Sequence, residues 1–187
     1  MGPQVGRPYS NGKSHSFGKK DSFMRSGGSK KSLKTTPLNI APLNIKSLRK
    51  DEKVYELEED IKDLKWDIIG LAEVKRKGEE FITLESDNVL YYKGREEQSL
   101  DGVGFLISKK YALKVEQFVG ISERILMIRL NVNENITLKI IQVYASTTAH
   151  LDEEIDEFYE KIAETSTNYH STYTMIIGDF GENSQSL

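Results

Sequence analysis

Two short apolar runs, Ile68-Ile69-Gly70-Leu71-Ala72 and Met175-Ile176-Ile177-Gly178, each contain a glycine and are closed by a carboxylate, Glu73 and Asp179. An apolar run of this length without helical periodicity reads as a strand buried on both faces. Such strands require a sheet covered on each side, so the chain is expected to build a layered α/β domain. Strand ends that open at one sheet edge also bring their terminal side chains together. The pattern therefore predicts an architecture and a place for chemistry at once.

The remaining segments fit that scheme. Val54, Leu57, Ile61 and Leu64 recur at spacings of three and four, predicting an amphipathic helix with Asp51 as its N-cap. A second helix is expected from Asp152 to Glu164, with Ile155, Phe158 or Tyr159, and Ile162 facing inward. Further strands are predicted at Leu43 to Ile45, Phe81 to Leu84, Val89 to Tyr92, Gly102 to Ser108, Val115 to Val119, Arg124 to Val132 and Ile136 to Ala145. The last two read as a hairpin across Asn133-Glu134-Asn135. A short repeat, Pro37-Leu38-Asn39-Ile40 and Pro42-Leu43-Asn44-Ile45, is too brief to signal a repeat architecture. Pro42 within it removes a ladder donor and is tolerated chiefly at edges, strand starts or bulges.

Charge divides the 187-residue chain unevenly. Residues 1–50 carry eleven Lys and Arg against the single acid Asp21, whereas the remainder holds 15 basic and 28 acidic residues. Residues 1–36, rich in Gly, Ser and Lys, bury too little apolar surface to offset ordering entropy and read as a disordered basic tail. Such a tail can be a solubilising leader, a nuclear-import signal or a phosphate-binding arm. Residues 37–187 form the expected domain. The absence of Cys excludes a disulfide scaffold, thiolate-ligated metal and a thiol nucleophile. No apolar run approaches the roughly 20 residues of a membrane span, so an intracellular protein without a membrane partner is expected.

Glu73 and Asp179 are the sharpest candidates for chemistry. A pair of hard oxygen ligands at one sheet edge suits Mg²⁺ or Mn²⁺, although a lone strand-end carboxylate also serves as a turn residue or helix cap. Asn44 in the first strand can orient a phosphate or a metal-bound water, or be a satisfied strand amide. Tyr144 can donate to a phosphoryl oxygen, or be an interfacial core residue. Gly102-Val103-Gly104 lacks the further glycine of a dinucleotide loop, and His15, His150 and His170 have no metal-ligand spacing. Arg124 can reach a phosphate or lie solvated at a strand start.

In chain order, Leu43-Asn44-Ile45-Lys46-Ser47-Leu48, Trp66-Asp67-Ile68-Ile69-Gly70-Leu71-Ala72-Glu73, Gly102-Val103-Gly104-Phe105-Leu106-Ile107, Ile141-Gln142-Val143-Tyr144-Ala145 and Ile176-Ile177-Gly178-Asp179-Phe180 resemble the endonuclease/exonuclease/phosphatase superfamily. More closely, they are similar to the endonuclease domain of RTE/Bov-B-type non-LTR retrotransposons and to the craniofacial development protein 2-like group. The resemblance implies a four-layer α/β sandwich and a Mg²⁺-dependent phosphodiesterase that nicks DNA. It implies Glu73 and Asp179 as metal ligands, and Asn44, Tyr144 and Asp179 as catalytic positions.

Departures from the family pattern accompany the matches. Gly181 stands where the motif has Asn, Ser146 where Pro usually follows Tyr-Ala, and Pro42 interrupts the first strand. The closing Asp-His pair has no counterpart. The expectation is a partial, C-terminally truncated sandwich of retrotransposon origin with weak or no DNA cleavage. The other reading is a non-catalytic nucleic-acid or protein-interaction module working through its basic tail, with oligomeric state unspecified. That reading predicts that deleting residues 1–36 lowers retention on DNA-cellulose and flattens its salt dependence; unchanged elution would remove the tail from the interaction.

Overall fold

The computed structural model describes residues 37–145 and 152–180. The expected tail, His15, His150, Ser146 and Gly181 lie outside the described residues. The described elements run β1 (Ile40–Asn44), α1 (Asp51–Ile61), β2 (Ile68–Ala72), β3 (Glu79–Thr83), β4 (Val89–Lys93), β5 (Val103–Ile107), α2 (Lys109–Ala112), β6 (Val115–Ser122), β7 (Ile125–Asn133), β8 (Ile136–Tyr144), α3 (Asp152–Asn168) and β9 (Tyr173–Asp179). They form a mixed α/β fold with two sheets, ordered β1-β2-β5-β4-β3 and β6-β7-β8-β9. Both sheets are antiparallel except for one parallel pair in each, β1 with β2 and β8 with β9.

Alternation of side chains along the strands sorts the core into three clusters. Ile68, Ala72, Val103, Phe105 and Ile107 of the first sheet meet Leu126, Ile128, Ile140 and Tyr144 of the second. On the first sheet's other face, Ile69, Leu71, Leu90 and Leu106 pack against Val54 and Ile61 of α1. On the second sheet's other face, Ile125, Met127, Ile141 and Val143 take Phe158 and Ile162 of α3. All five residues of β2 are buried, as a strand covered on both faces requires. Each fully buried Leu, Ile or Phe contributes about 1.5–3 kcal/mol, so these clusters dominate the driving force.

Three local expectations are revised. Asp51 is the first helical residue of α1 and not its cap: Lys50 takes the extended cap conformation. The Asp51 carboxylate instead receives Arg76 Nη2 at 2.7 Å, and with Glu52 it places negative charge at the positive end of the helix dipole. Leu64 falls beyond the helix and is 63% exposed. Only the second half of β9 is partly covered, with Tyr173, Thr174, Met175 and Ile176 exposed, because among the described residues β9 pairs with β8 alone. Its apolar composition predicted burial, but an edge strand has one neighbour fewer.

Pro42 falls where its missing N–H costs no ladder bond. Ile45 N donates to Ala72 O, and Asn39 O accepts from Asp67 N and Ile68 N, so odd-numbered residues of β1 face β2. Pro42 belongs to the alternate set, looking away from β2.

The position of β9 is set from α3. That helix has no basic residue in its last turn. Lys139 of β8, 1% exposed, supplies the cation instead. Its Nζ donates to the carbonyl oxygens of Thr165 (3.2 Å), Ser166 (2.6 Å) and Tyr169 (2.7 Å). These are groups that a helix C-terminus leaves unbonded, and they lie directly before the turn into β9. Lys139→Met removes the donor and is expected to lower unfolding free energy in urea by about 2 kcal/mol; an unchanged midpoint would deny the clamp its role.

Candidate active site

The carboxyl ends of the two parallel strand pairs open into one pocket of about 450 Å³, lined by Pro42, Leu43, Asn44, Ala72, Gln142, Gly178, Asp179 and Phe180. Register explains the convergence. Asn44 lies opposite Ala72 in the first sheet and Tyr144 opposite Asp179 in the second. β9 packs against both β1 and β2 across the gap between the sheets. Neighbouring residues in register project from the same sheet face, so Tyr144 and Asp179 share one face. Ala145 N donates to Asp179 O at 2.7 Å, which carries the β8–β9 ladder past the strand ends and fixes the Asp179 backbone.

Glu73 follows the lining residue Ala72. Asn44 Nδ2 donates to Glu73 Oε1 at 2.8 Å, while Asn44 Oδ1 accepts from Lys46 N at 3.1 Å. The amide is thereby committed at both ends and orients the carboxylate. Lys75 Nζ lies 2.9 Å from Glu73 Oε2. Together Lys75 and Asn44 hold the Glu73 carboxyl below the usual range, outweighing the opposing effect of burial. Lys46, Glu73 and Lys75 all adopt left-handed backbone, with φ of 59°, 59° and 54°. Non-glycine residues in that region carry strain of the order of 1–2 kcal/mol each, and here they are Glu73 itself and two lysines near it.

Two of the sequence-predicted positions line the pocket, and two more adjoin those two. Asn44 and Asp179 line the pocket and Asn44 holds Glu73. Tyr144 is 7% exposed and packs in the cluster between the sheets, beside Asp179 in register. Arg124 does not approach: its guanidinium lies 5.3 Å from the ring centroid of Phe158. His170 offers its backbone oxygen to Arg129, away from the pocket. Gly102 and Gly104 serve β5 and its entry turn.

Sequence reasoning missed two features. Gln142 lines the pocket from β8 although it reads as one polar residue in an apolar strand. The second is a cationic rim. The loops after β1 and β2 carry Lys46, Arg49, Lys50 and Lys75, Arg76, Lys77. Leu48 N donates to Val74 O (2.9 Å) and Arg76 Nε to Leu48 O (2.6 Å), which lays the two loops side by side. The overall excess of acids conceals this local grouping. Its sequence signal was present in Lys46 to Lys50 and Lys75 to Lys77, but only tertiary pairing makes it one surface.

The residues present fit a divalent cation of the hard class. Asp179 in the lining, with Glu73 attached to the lining through Asn44, is the donor type Mg²⁺ takes, since that ion keeps several waters and needs only one or two protein carboxylates. One Glu73 oxygen is already paired with the Lys75 ammonium. No cluster of three or more His, Cys, Asp or Glu with metal-binding geometry occurs among the described residues.

Lys75 is the larger cause of the Glu73 shift, so Lys75→Ala is expected to raise the Glu73 pKa more than Asn44→Ala does, both read by carboxyl NMR titration. A depressed folded pKa means that the stabilisation is present above the ordinary value of 4.5 and is lost as pH falls through the lower folded value. Either substitution should therefore narrow the acid range of the native state. Equal or reversed shifts would show that the pairing does not control this carboxylate.

Comparison with protein families finds no matching family model, and no curated protein sequence matches. Among solved structures, AP endonuclease LMAP from Leishmania major is similar, with a TM-score of 0.50 at 11% identity. The match covers 76% of this chain and 54% of the endonuclease, so the chain spans about half of that neighbour's length. At this identity the likeness concerns the fold alone. The described domain thus shares its α/β fold with that endonuclease.

Proposed function

We propose that this chain carries the cation- and phosphate-binding part of a Mg²⁺-dependent (or Mn²⁺-dependent) DNA phosphodiesterase of retrotransposon-endonuclease type. Its architecture on this reading is the partial four-layer sandwich of that superfamily. The observation that carries the reading is the single pocket in which Asn44, bonded to Glu73, and Asp179 meet at the carboxyl ends of two parallel strand pairs, on a nuclease-like fold.

Glu73 and Asp179 would hold the cation, and Asn44 keeps Glu73 oriented toward it. When bound, the cation supplies Lewis-acid polarisation of a phosphoryl oxygen and charge neutralisation. Lys75 pairs with Glu73 and would compete with a bound cation for that carboxylate. Tyr144, adjacent to Asp179, is the candidate phenol donor to a phosphoryl oxygen. The rim formed by Lys46, Arg49, Lys50 and Lys77 offers exposed positive charge to a nucleic-acid backbone beside the pocket. No helix among the described residues is long and apolar enough to cross a membrane.

Cleavage is expected to be slow, because Gly181 stands where the family motif has Asn. Glu73, held below its usual pKa by Lys75 and Asn44, contributes charge and not general-base catalysis. In a supercoiled-plasmid assay with Mg²⁺, weak nicking is expected to disappear with Glu73→Ala, whereas retention on DNA persists. Neutralising Lys46, Lys50 and Lys77 together should weaken DNA binding and lower its salt slope by roughly three. Nicking indifferent to Glu73→Ala, or a salt slope unchanged by the triple substitution, would overturn the reading.

A further inference from the structure

Gln142 stands apart from the rest of the pocket. It is fully buried, its Nε2 donates to Val143 O at 3.1 Å, and its Oε1 has no hydrogen-bond partner. The Nε2 contact fixes the amide's orientation, because a flipped amide would set oxygen against oxygen. Buried acceptors are almost always satisfied, so an orphan of this kind points to something that completes it.

The surroundings are shaped around that oxygen. Gly70 of β2 leaves it room: a Cβ there would lie 1.9 Å from Gln142 Oε1. Gly178, at a φ of +138°, leaves room for a backbone carbonyl: a Cβ there would lie 1.9 Å from the same Val143 O that accepts Gln142 Nε2. Gly70 thus makes space for the side chain that reaches from β8 to β2, and Gly178 for the carbonyl that holds its amide.

We propose that Gln142 is a positioning residue for the cation site: its Oε1 accepts a hydrogen bond from water at the pocket floor that belongs to the hydration of the bound divalent cation. This rests on the cation reading given above and extends it to a residue that contacts no metal directly. The chemistry selects the ligand. A hydrated cation presents only O–H donors to its surroundings, whereas phosphate oxygens present acceptors. Gln142 Oε1, beside the Asp179 carboxylate in the same lining, offers acceptors to match the former.

The test titrates Mn²⁺ into the full chain and follows free Mn²⁺ by electron paramagnetic resonance, for wild type, Gln142→Met, Gln142→Leu and Glu73→Gln, with thermal unfolding of each measured without metal. Gln142→Met and Gln142→Leu are expected to weaken Mn²⁺ binding about ten-fold. Their metal-free midpoints should stay level or rise, because an acceptor without a donor has been removed. Wild-type affinity in both variants, whatever their midpoints, overturns the inference and leaves the cation site standing. Wild-type protein that binds no Mn²⁺, or binds it equally after Glu73→Gln, overturns the cation reading and this inference with it.

Discussion

An asparagine amide donating to a carboxylate ties β1 to β2 at both ends, and the geometry of the pocket depends on that pair of bonds. At the amino end Asn39 Nδ2 and its backbone N donate to Asp67 Oδ2 at 3.0 and 2.8 Å, with Lys110 on the other oxygen. At the carboxyl end Asn44 Nδ2 donates to Glu73. Burial pushes the Asp67 carboxyl upward, but the Asn39 and Lys110 contacts prevail and hold it below its ordinary range. An edge strand that pairs with one neighbour has little else to fix its register, and hydrogen bonds to ionised carboxylates are stronger than neutral ones. The short Pro-Leu-Asn-Ile repeat gains its meaning here, since each copy delivers one of the two asparagines.

The two sheets are coupled by a second constraint, the fit of Gln142 between glycines. Apolar side chains between the sheets set their spacing, and the missing side chain of Gly70 lets Gln142 of β8 close against β2. Gly70 and Gly178 are therefore more than turn residues. One admits an amide oxygen and the other a carbonyl, both at distances that any larger residue would close.

Electrostatics at the rim then run against the charge of the domain as a whole. Lys75 is held to Glu73, and Arg76 to the Leu48 carbonyl, Asp51 and the face of Tyr92. Arg49 donates to the Ser99 carbonyl through Nε and Nη2, while Lys46, Lys50 and Lys77 are exposed. A small cationic surface beside an acidic pocket is suited to holding a polyanion near a cation, because the Debye length of about 8 Å at physiological salt confines each charge group to its own neighbourhood.

The strands and both long helices were legible in the sequence because period-2 and period-3.6 patterns are local, and the carboxylates Glu73 and Asp179 were legible because they end apolar runs. The N-cap of α1 and the exposure of β9 were misread, since the Asp51 carboxylate pairs with Arg76 from a distant loop and burial depends on the number of neighbouring strands. Gln142 was invisible as a site residue: one amide in an apolar strand carries no signal until its oxygen is seen to lack a donor. The sequence by itself determined the elements, their faces and the residue types at their ends. Only the tertiary structure decided that Asn44 meets Glu73, that Gln142 meets Gly70, and that two basic loops form one rim. Those contacts join residues dozens of positions apart, and sheet register and stacking, not local periodicity, set such distances.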